Sequence, residues 1–78
     1  MTVDVLIERD KLGRLHGYVL QQRGDGVIEK GDDMLKKRVF RDVSMAKLEC
    51  DRIIREFFKE PIVTLDRITY TFPEDYRP

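Results

Sequence analysis

Residues 2–22, TVDVLIERDKLGRLHGYVLQQ, alternate between apolar and polar side chains on either side of a short polar turn. A period of two is typical of strands that bury one face. The face expected to enter the core carries Val3, Val5 and Ile7 in the first half, and Leu15, Gly17 and Val19 in the second. Between the halves, Gly13 can adopt a positive φ at no steric cost, as a tight turn requires. The stretch therefore predicts a β-hairpin.

A helix is predicted for residues 44–60, SMAKLECDRIIREFFKE. Ser44 is a suitable N-cap, and Pro61 would prevent the helix from continuing. At about 100° per residue, one arc of the helix collects its apolar side chains. The arc contains Ala46, Cys50, Ile53, Ile54 and Phe57, with Phe58 at its margin. This arc is expected to cover one face of the sheet, with Phe57 in the core.

Two further strands complete the predicted fold. Residues 34–42, MLKKRVFRD, contain Val39 and Phe40 and are expected to form a third strand at a sheet edge, where lysines discourage pairing with other chains. Residues 62–72, IVTLDRITYTF, are expected to form the last strand, with a bulge or loop near Asp66, where the apolar phase changes. The order β-β-β-α-β predicts an α+β fold with an antiparallel sheet of three to four strands packed on one helix.

The remaining segments are predicted to be irregular. Residues 23–33, RGDGVIEKGDD, are expected to form a flexible acidic connector in which glycines supply the turns, and Val27 and Ile28 could form a short extension beside the third strand. Its four acids lack the spacing of a calcium-binding loop, so no metal site is expected. Residues 73–78 are expected to form a loose tail. The whole of residues 1–78 is predicted to be a single domain.

The composition limits the classes of function. Fifteen basic residues balance fifteen acidic ones, which argues against a dedicated non-specific nucleic-acid binder. Cys50 and His16 are the only residues of their types, so we expect no internal disulfide, no zinc site and no cofactor. Neither residue has an assignable partner that would make it a nucleophile or a base, so no enzymatic activity is expected.

The location of the protein is also predicted from the sequence. The first ten residues contain acids and lack an apolar stretch, so we expect no signal peptide. No apolar run approaches the roughly 18 residues of a membrane span, so we expect no membrane partner. A cytoplasmic protein is the resulting expectation, in the host cytoplasm if the chain is viral.

Candidate binding residues come from the geometry of the predicted fold. One helix covers only one face of the sheet, so the opposite face is expected to present Leu6, His16, Tyr18 and Leu20 to a partner. A basic strand would add Lys36, Lys37, Arg38 and Arg41. A second candidate surface on the helix consists of Leu48, Arg52, Arg55 and Lys59. The competing interpretation for all three sets is an ordinary solvated surface.

The layout of a hairpin, a further strand, an amphipathic helix and then DRITYTF (residues 66–72) resembles several small phage-encoded inhibitors of host machinery, including anti-CRISPR proteins. The resemblance covers most of the chain and implies a protein that occludes a partner's surface. The hairpin start IERD, residues 7–10, is similar to small sheet-plus-helix domains of antitoxins. The function expected is therefore a non-enzymatic protein-binding module whose partner is another protein or a second copy. The alternative is a small nucleic-acid-binding domain that stacks bases on its sheet face and binds phosphates with its basic strand.

Overall fold

The computed structural model describes residues 1–59 and 64–77, which form a four-stranded sheet with one helix packed on it. The elements are β1 (Thr2–Arg9), β2 (Leu15–Gln22), β3 (Ile28–Lys30), α1 (Val43–Phe57) and β4 (Arg67–Thr71). The α+β class and the order β-β-β-α-β are confirmed. Across the sheet the strands lie in the order β3-β2-β1-β4.

The hairpin of β1 and β2 forms as predicted. The two strands are antiparallel, with Leu6 opposite Tyr18 and Ile7 opposite Gly17. Gly13 in the connecting turn has a φ of +82°, a conformation that side chains disfavour. The inner face of the hairpin enters the core, where Val5 and Ile7 are fully buried. The alternation of side chains along the sequence therefore sets both the register and the buried face.

The predicted all-antiparallel sheet is wrong, because β4 runs parallel to β1. β3 is antiparallel to β2 and therefore runs in the same direction as β1. α1 then returns the chain across the inner face, so that β4 enters the sheet in the direction of β1. A helical crossover of this kind is the usual connection between parallel strands. The sheet is mixed, with β1 in its interior.

The predicted third strand over residues 34–42 is also wrong. The third strand, β3, lies within the predicted connector 23–33. After β3 the chain continues along β2, where the Gly31 N–H donates to Val19 O at 2.9 Å and the Leu15 N–H donates to Phe40 O at 2.8 Å. Residues 34–37 form a turn between these contacts. Leu35 and Phe40 are both buried, and their five-residue spacing does not fit the alternation of a strand.

The helix begins one residue earlier than predicted, and Asp42 rather than Ser44 is its N-cap. The Oδ1 atom of Asp42 accepts a hydrogen bond from the Ser44 N–H at 2.8 Å. The buried residues of α1 are Val43, Ala46, Cys50 and Ile54. The helix ends at Phe57, so the prediction that it continues to residue 60 is wrong at residues 58 and 59, and residue 60 lies outside the described residues. Of the predicted strand 62–72, residues 62 and 63 lie outside the described residues, and the strand itself begins only at Arg67.

The prediction that Phe57 lies in the core is wrong, because Phe57 is 82% exposed. The buried residues of α1 lie on one side of the predicted apolar arc of the helix. They include Val43, which precedes the predicted start of the helix. The backbone leaves helical geometry at Phe58, the C-cap, whose side chain packs against the core. The aromatic contact at this end of the helix is therefore made by Phe58.

The described part of the predicted loose tail, residues 73–77, has specific contacts. Asp75 forms an ion pair with Arg9 at 3.1 Å. The ring of Tyr76 lies 4.6 Å, centroid to centroid, from the ring of Phe72. The tail therefore folds back against the end of β1 and the inner side of β4.

Candidate binding surfaces

The outer face of the sheet presents a narrow apolar band. Leu6 lies directly opposite Tyr18 in the hairpin, and both are half-buried, as is Leu20. α1 packs on the opposite face, against the buried side chains of β1 and β2. The predicted division of the hairpin into an inner and an outer face is therefore correct, and the predicted residues Leu6, Tyr18 and Leu20 lie together on one surface.

Charged side chains border this apolar band. The Lys30 ammonium lies 5.1 Å from the centroid of the Tyr18 ring. It also lies 3.0 Å from both carboxylate oxygens of Glu8, so an ion pair spans the ring. On the other side of the band, the hydroxyl of Thr69 donates to Asp4. The outer face therefore combines an apolar centre with a mixed-charge border that includes two acids.

His16 is held between two carboxylates, an arrangement that the sequence did not reveal. Its Nδ1 atom lies 2.7 Å from Asp33 Oδ2, and its Nε2 atom lies 2.8 Å from Asp10 Oδ2. The second oxygen of Asp33 accepts from the Gly17 N–H at 3.0 Å and from the Leu35 N–H at 2.9 Å. We call His16, Asp10 and Asp33 the histidine clamp. The clamp joins the turn between β1 and β2, the strand β2, and the segment that follows β3.

The clamp favours the charged imidazolium. A carboxylate only accepts hydrogen bonds, so two carboxylates require a proton on both ring nitrogens. The hydrogen bond to Asp10 and then that to Asp33 raise the pKa of His16 above its ordinary value of 6.5. The hydrogen bond from His16 holds the pKa of Asp10 far below its usual range. Burial raises the pKa of Asp33, but hydrogen bonds from His16, Gly17 and Leu35 outweigh burial and lower it overall.

The predicted basic strand is divided into residues with different roles. Lys36 and Lys37 lie in the turn and are exposed. Arg38 lies over the ring of Phe40, at 4.8 Å, and within 3.9 Å of a Glu49 carboxylate oxygen. Arg41 donates to Leu12 O at 2.8 Å and so fastens the hairpin turn. We call residues 36–38 the basic turn, since these three cations face solvent and are separate from Arg41.

A groove of about 220 Å³ connects the basic turn with the histidine clamp. It is lined by Arg14, Leu15, His16, Leu35 and residues 36–39. Arg14 is already paired with Asp10 at 3.0 Å. The basic turn therefore lies at one border of the outer face, next to His16, and is separate from the band of Leu6, Tyr18 and Leu20.

The second candidate surface, on the helix, is mostly neutralised by neighbouring acids. Leu48 is exposed, as predicted. The three cations of this second surface form ion pairs with nearby acids: Arg52 with Glu49 at 2.9 Å, Arg55 with Asp51 at 2.7 Å and Lys59 with Glu56 at 3.8 Å. Exposed pairs of this kind contribute little to binding or stability. This second candidate surface therefore resembles an ordinary salt-bridged helix surface.

An apolar groove of about 530 Å³ could not be expected from the sequence while Phe57 was predicted to lie in the core. It lies between the C-terminal half of α1 and the strands β1 and β2. Its lining includes Met1, Val19, Met34, Ile53, Phe57 and Phe58. The groove lies at the end of α1 that precedes residues 60–63, which are outside the described residues.

Cys50 lies in the core, with no exposed surface. Burial raises the pKa of its thiol to about 12, so the reactive thiolate is almost absent at neutral pH. The described ranges contain no group of three or more His, Cys, Asp or Glu side chains placed to hold a metal ion. Within residues 1–59 and 64–77, the helix is too short and too polar to cross a membrane. No family model, curated protein or solved structure matches this chain.

Proposed function

We propose that this chain is a non-enzymatic protein-binding module that docks through the outer face of its sheet. The observation that carries the proposal is the cross-strand pair of Leu6 and Tyr18 on the face opposite α1. Tyrosine supplies a large apolar ring with a polar tip, and it is enriched in the centres of protein interfaces. Leu20, beside Tyr18, extends the same band.

The charges of the outer face support a protein partner over a nucleic acid. Sheet-based nucleic-acid binders combine exposed aromatic rings with a positive surface that follows the phosphates. Here Asp4 and Glu8 lie on the same face as Tyr18. The basic turn lies at the border, where charges mainly guide the approach of a partner. A mixed-charge border around an apolar centre fits a protein surface better.

The chemistry of the two most reactive residue types supports a non-enzymatic role. Both ring nitrogens of His16 are engaged by carboxylates, which leaves neither one free to accept a proton from a substrate. The thiol of Cys50 is buried and carries a raised pKa. A catalytic base or nucleophile needs access to its substrate. We therefore assign these residues to the stability of the domain.

The mode of action that we propose is occlusion of a partner's surface, as in the phage-type inhibitors that the layout resembles. A domain with one open sheet face can cover a patch on a larger protein without chemistry of its own. Affinity capture followed by mass spectrometry would identify the host protein that it covers. Binding would then be measured with the purified partner.

The test of this proposal compares three variants against that purified partner. Tyr18→Ala is expected to weaken binding by about 2 kcal/mol or more, because aromatic anchors dominate interface energies. Reversal of Lys37 and Arg38 to Glu is expected to have a moderate effect that declines as salt screens it. Phe57→Ala is the matched control, since it truncates an exposed ring away from the outer face.

Calorimetry or surface plasmon resonance at about 50 mM and about 200 mM salt separates the two classes of partner. A nucleic-acid ligand would make the charge reversal the dominant loss, with affinity that falls linearly with the logarithm of salt. That result, or equal losses from Tyr18→Ala and Phe57→Ala, would contradict the outer-face proposal. Thermal melts of each variant distinguish lost binding from lost folding.

A further inference from the structure

The two edges of the sheet differ in how well they are protected against pairing. The β3 edge has only three residues, two of them charged, and the chain that follows runs on beside β2. At the β4 edge, residues 68–72 read ITYTF and contain neither a charge nor a proline. Charged residues, prolines and very short strands are the usual means of blocking an edge. The five-residue β4 therefore carries one charge, Arg67 at its first position, and no proline.

The backbone of β4 is paired on one side only within the described residues. Its register with β1 runs from Arg67 opposite Thr2 to Thr71 opposite Leu6. In a strand, alternate N–H and C=O groups point to opposite sides, so about half of those in β4 face away from β1. Such a row of donors and acceptors is a template for another strand.

The inner side of β4 is also incompletely covered. Ile68, Tyr70 and Phe72 point towards the core but are only half-buried, whereas Val5 and Ile7 on β1 are completely buried. α1 packs mainly over β1 and β2. The rings of Tyr70 and Phe72 stack at 5.8 Å with an interplanar angle of 9°. Polar side chains of α1 reach Tyr70, whose hydroxyl donates to Asp51 at 3.1 Å and whose ring lies 5.3 Å from the Lys47 ammonium. We call Ile68, Tyr70 and Phe72 the apolar shelf, since they extend the apolar layer of the core along β4.

We infer that β4 pairs antiparallel with β4 of a second copy, around a two-fold axis at Thr69, to form a continuous eight-stranded sheet. In this register Thr69 lies opposite its own copy, Ile68 lies opposite Tyr70, and Arg67 lies opposite Thr71. Pairs of threonines and pairs of an aromatic with a β-branched residue stabilise adjacent strands. No like charges face each other across the axis, so the strand is complementary to itself, as a two-fold interface requires.

The shelf supports a second copy as the occupant of this edge. A second β4 would bring its own apolar shelf beside the first and continue the inner apolar layer across the two-fold axis. The contact is small, since two five-residue strands bury less than the roughly 1,200 Å² of a standard interface. Self-association is therefore expected to be weak, with a dissociation constant on the order of 10–1,000 µM. This inference is independent of the proposed function, because the outer face stays free in both copies.

The experiment uses the whole chain and needs no other partner. Sedimentation equilibrium between about 10 µM and 1 mM is expected to show a monomer–dimer equilibrium, since weak contacts populate only at high concentration. Thr71→Lys places a cation opposite Arg67 of the second copy and should raise the dissociation constant at least tenfold. Gln22→Lys is the matched control: it adds the same charge on β2, near the other edge, and should leave the constant unchanged.

Disulfide trapping tests the register. Thr69→Cys puts two thiols opposite each other at the axis, within the 4.4–6.8 Å between Cα atoms that a disulfide spans. With oxidised glutathione as oxidant, this variant should form covalent dimers faster than Gln22→Cys, while the buried Cys50 stays unreactive. A chain that is monomeric at 1 mM would overturn the inference, and so would equal trapping rates or equal effects of the two lysine variants. None of these results depends on binding to another protein.

Discussion

The contact between Gly17 on β2 and Cys50 on α1 predicts a strong coupling between two mild substitutions. Both residues are buried, and a Cβ atom added at Gly17 would lie 2.5 Å from Cys50 Sγ and 3.5 Å from Leu35 Cγ. The first distance is more than 1 Å shorter than an ordinary carbon–sulfur contact. Gly17→Ala therefore forces the helix and the sheet apart or moves the thiol, and it should destabilise the domain by about 1–3 kcal/mol.

Removal of the sulfur should relieve that clash. Cys50→Ala alone removes the Sγ atom and leaves a small cavity. It should lower the free energy of unfolding by about 1 kcal/mol, similar to the loss of one buried methylene. In the double variant the new methyl at position 17 occupies the space that the sulfur vacates. The combined loss should therefore be smaller than the sum of the single losses, with a coupling of about 1–2 kcal/mol.

Urea denaturation of the four proteins measures this coupling, provided that the m-values agree. Gly24→Ala is the matched control, because no atom lies within 4 Å of a Cβ placed there, and it should change the free energy of unfolding by less than about 0.5 kcal/mol. Additive losses, or a Gly17→Ala loss no larger than that of the control, would refute the close approach of helix and sheet.

Two further predictions concern the helix end and the histidine clamp. Phe57→Ala should cost less than about 1 kcal/mol, whereas Ile54→Ala should cost about 2–5 kcal/mol; equal losses in denaturation would show that Phe57 is buried. The raised pKa of His16 gives stability that is complete below its ordinary value of 6.5 and is lost as pH rises through the folded value. The lowered pKa values of Asp10 and Asp33 give stability that is present above their ordinary value of 3.8 and is lost as pH falls through the folded values. Melting temperatures should therefore be highest between pH 3.8 and pH 6.5, and the His16→Gln variant should lose less stability than the wild type as pH rises above this range. If the melting temperatures of the two proteins fall in parallel with pH, the clamp is excluded as the cause of the decline.

The hairpin, the helix and the α+β class could be predicted because their signals are local. Alternation in residues 2–22 fixes the buried face, and the turn at Gly13 fixes the connection. The direction of β4 has no such signal, because an alternating strand has the same pattern whether its neighbour is parallel or antiparallel. It depends on the path of the chain through β3 and α1, and β3 has only three residues.

The basic strand was predicted wrongly because exposure and burial in residues 34–42 are set by contacts with distant residues. Leu35 is buried in the core beside Gly17, and Phe40 is fixed by a backbone hydrogen bond to Leu15. The residues between them have to bulge outwards, which exposes the lysines. A β-type composition around Val39 and Phe40 suggested a strand where tertiary contacts impose a turn.

The candidate site was predicted in part. Leu6, Tyr18 and Leu20 share the outer face, as the hairpin pattern required. The histidine clamp was not predictable, because Asp33 is seventeen residues away from His16 in the chain and is brought to it by the path of the connector. Asp10 is closer, at the other end of the turn, but a single acid near a histidine carries little information.

The position of β1 between β2 and β4 has a consequence for synthesis in the cell. The ribosome adds roughly 45 residues between the end of β2 and the start of β4, which takes on the order of several seconds. Until β4 has emerged from the ribosome, the hairpin can close, but the other side of β1 has no strand to pair with. The nascent chain therefore exposes Val3, Val5 and Ile7 next to an open backbone edge, a combination that chaperones bind and that promotes aggregation. Slower translation of the region before β4 should lower the yield of native protein, and coexpressed chaperones should restore it.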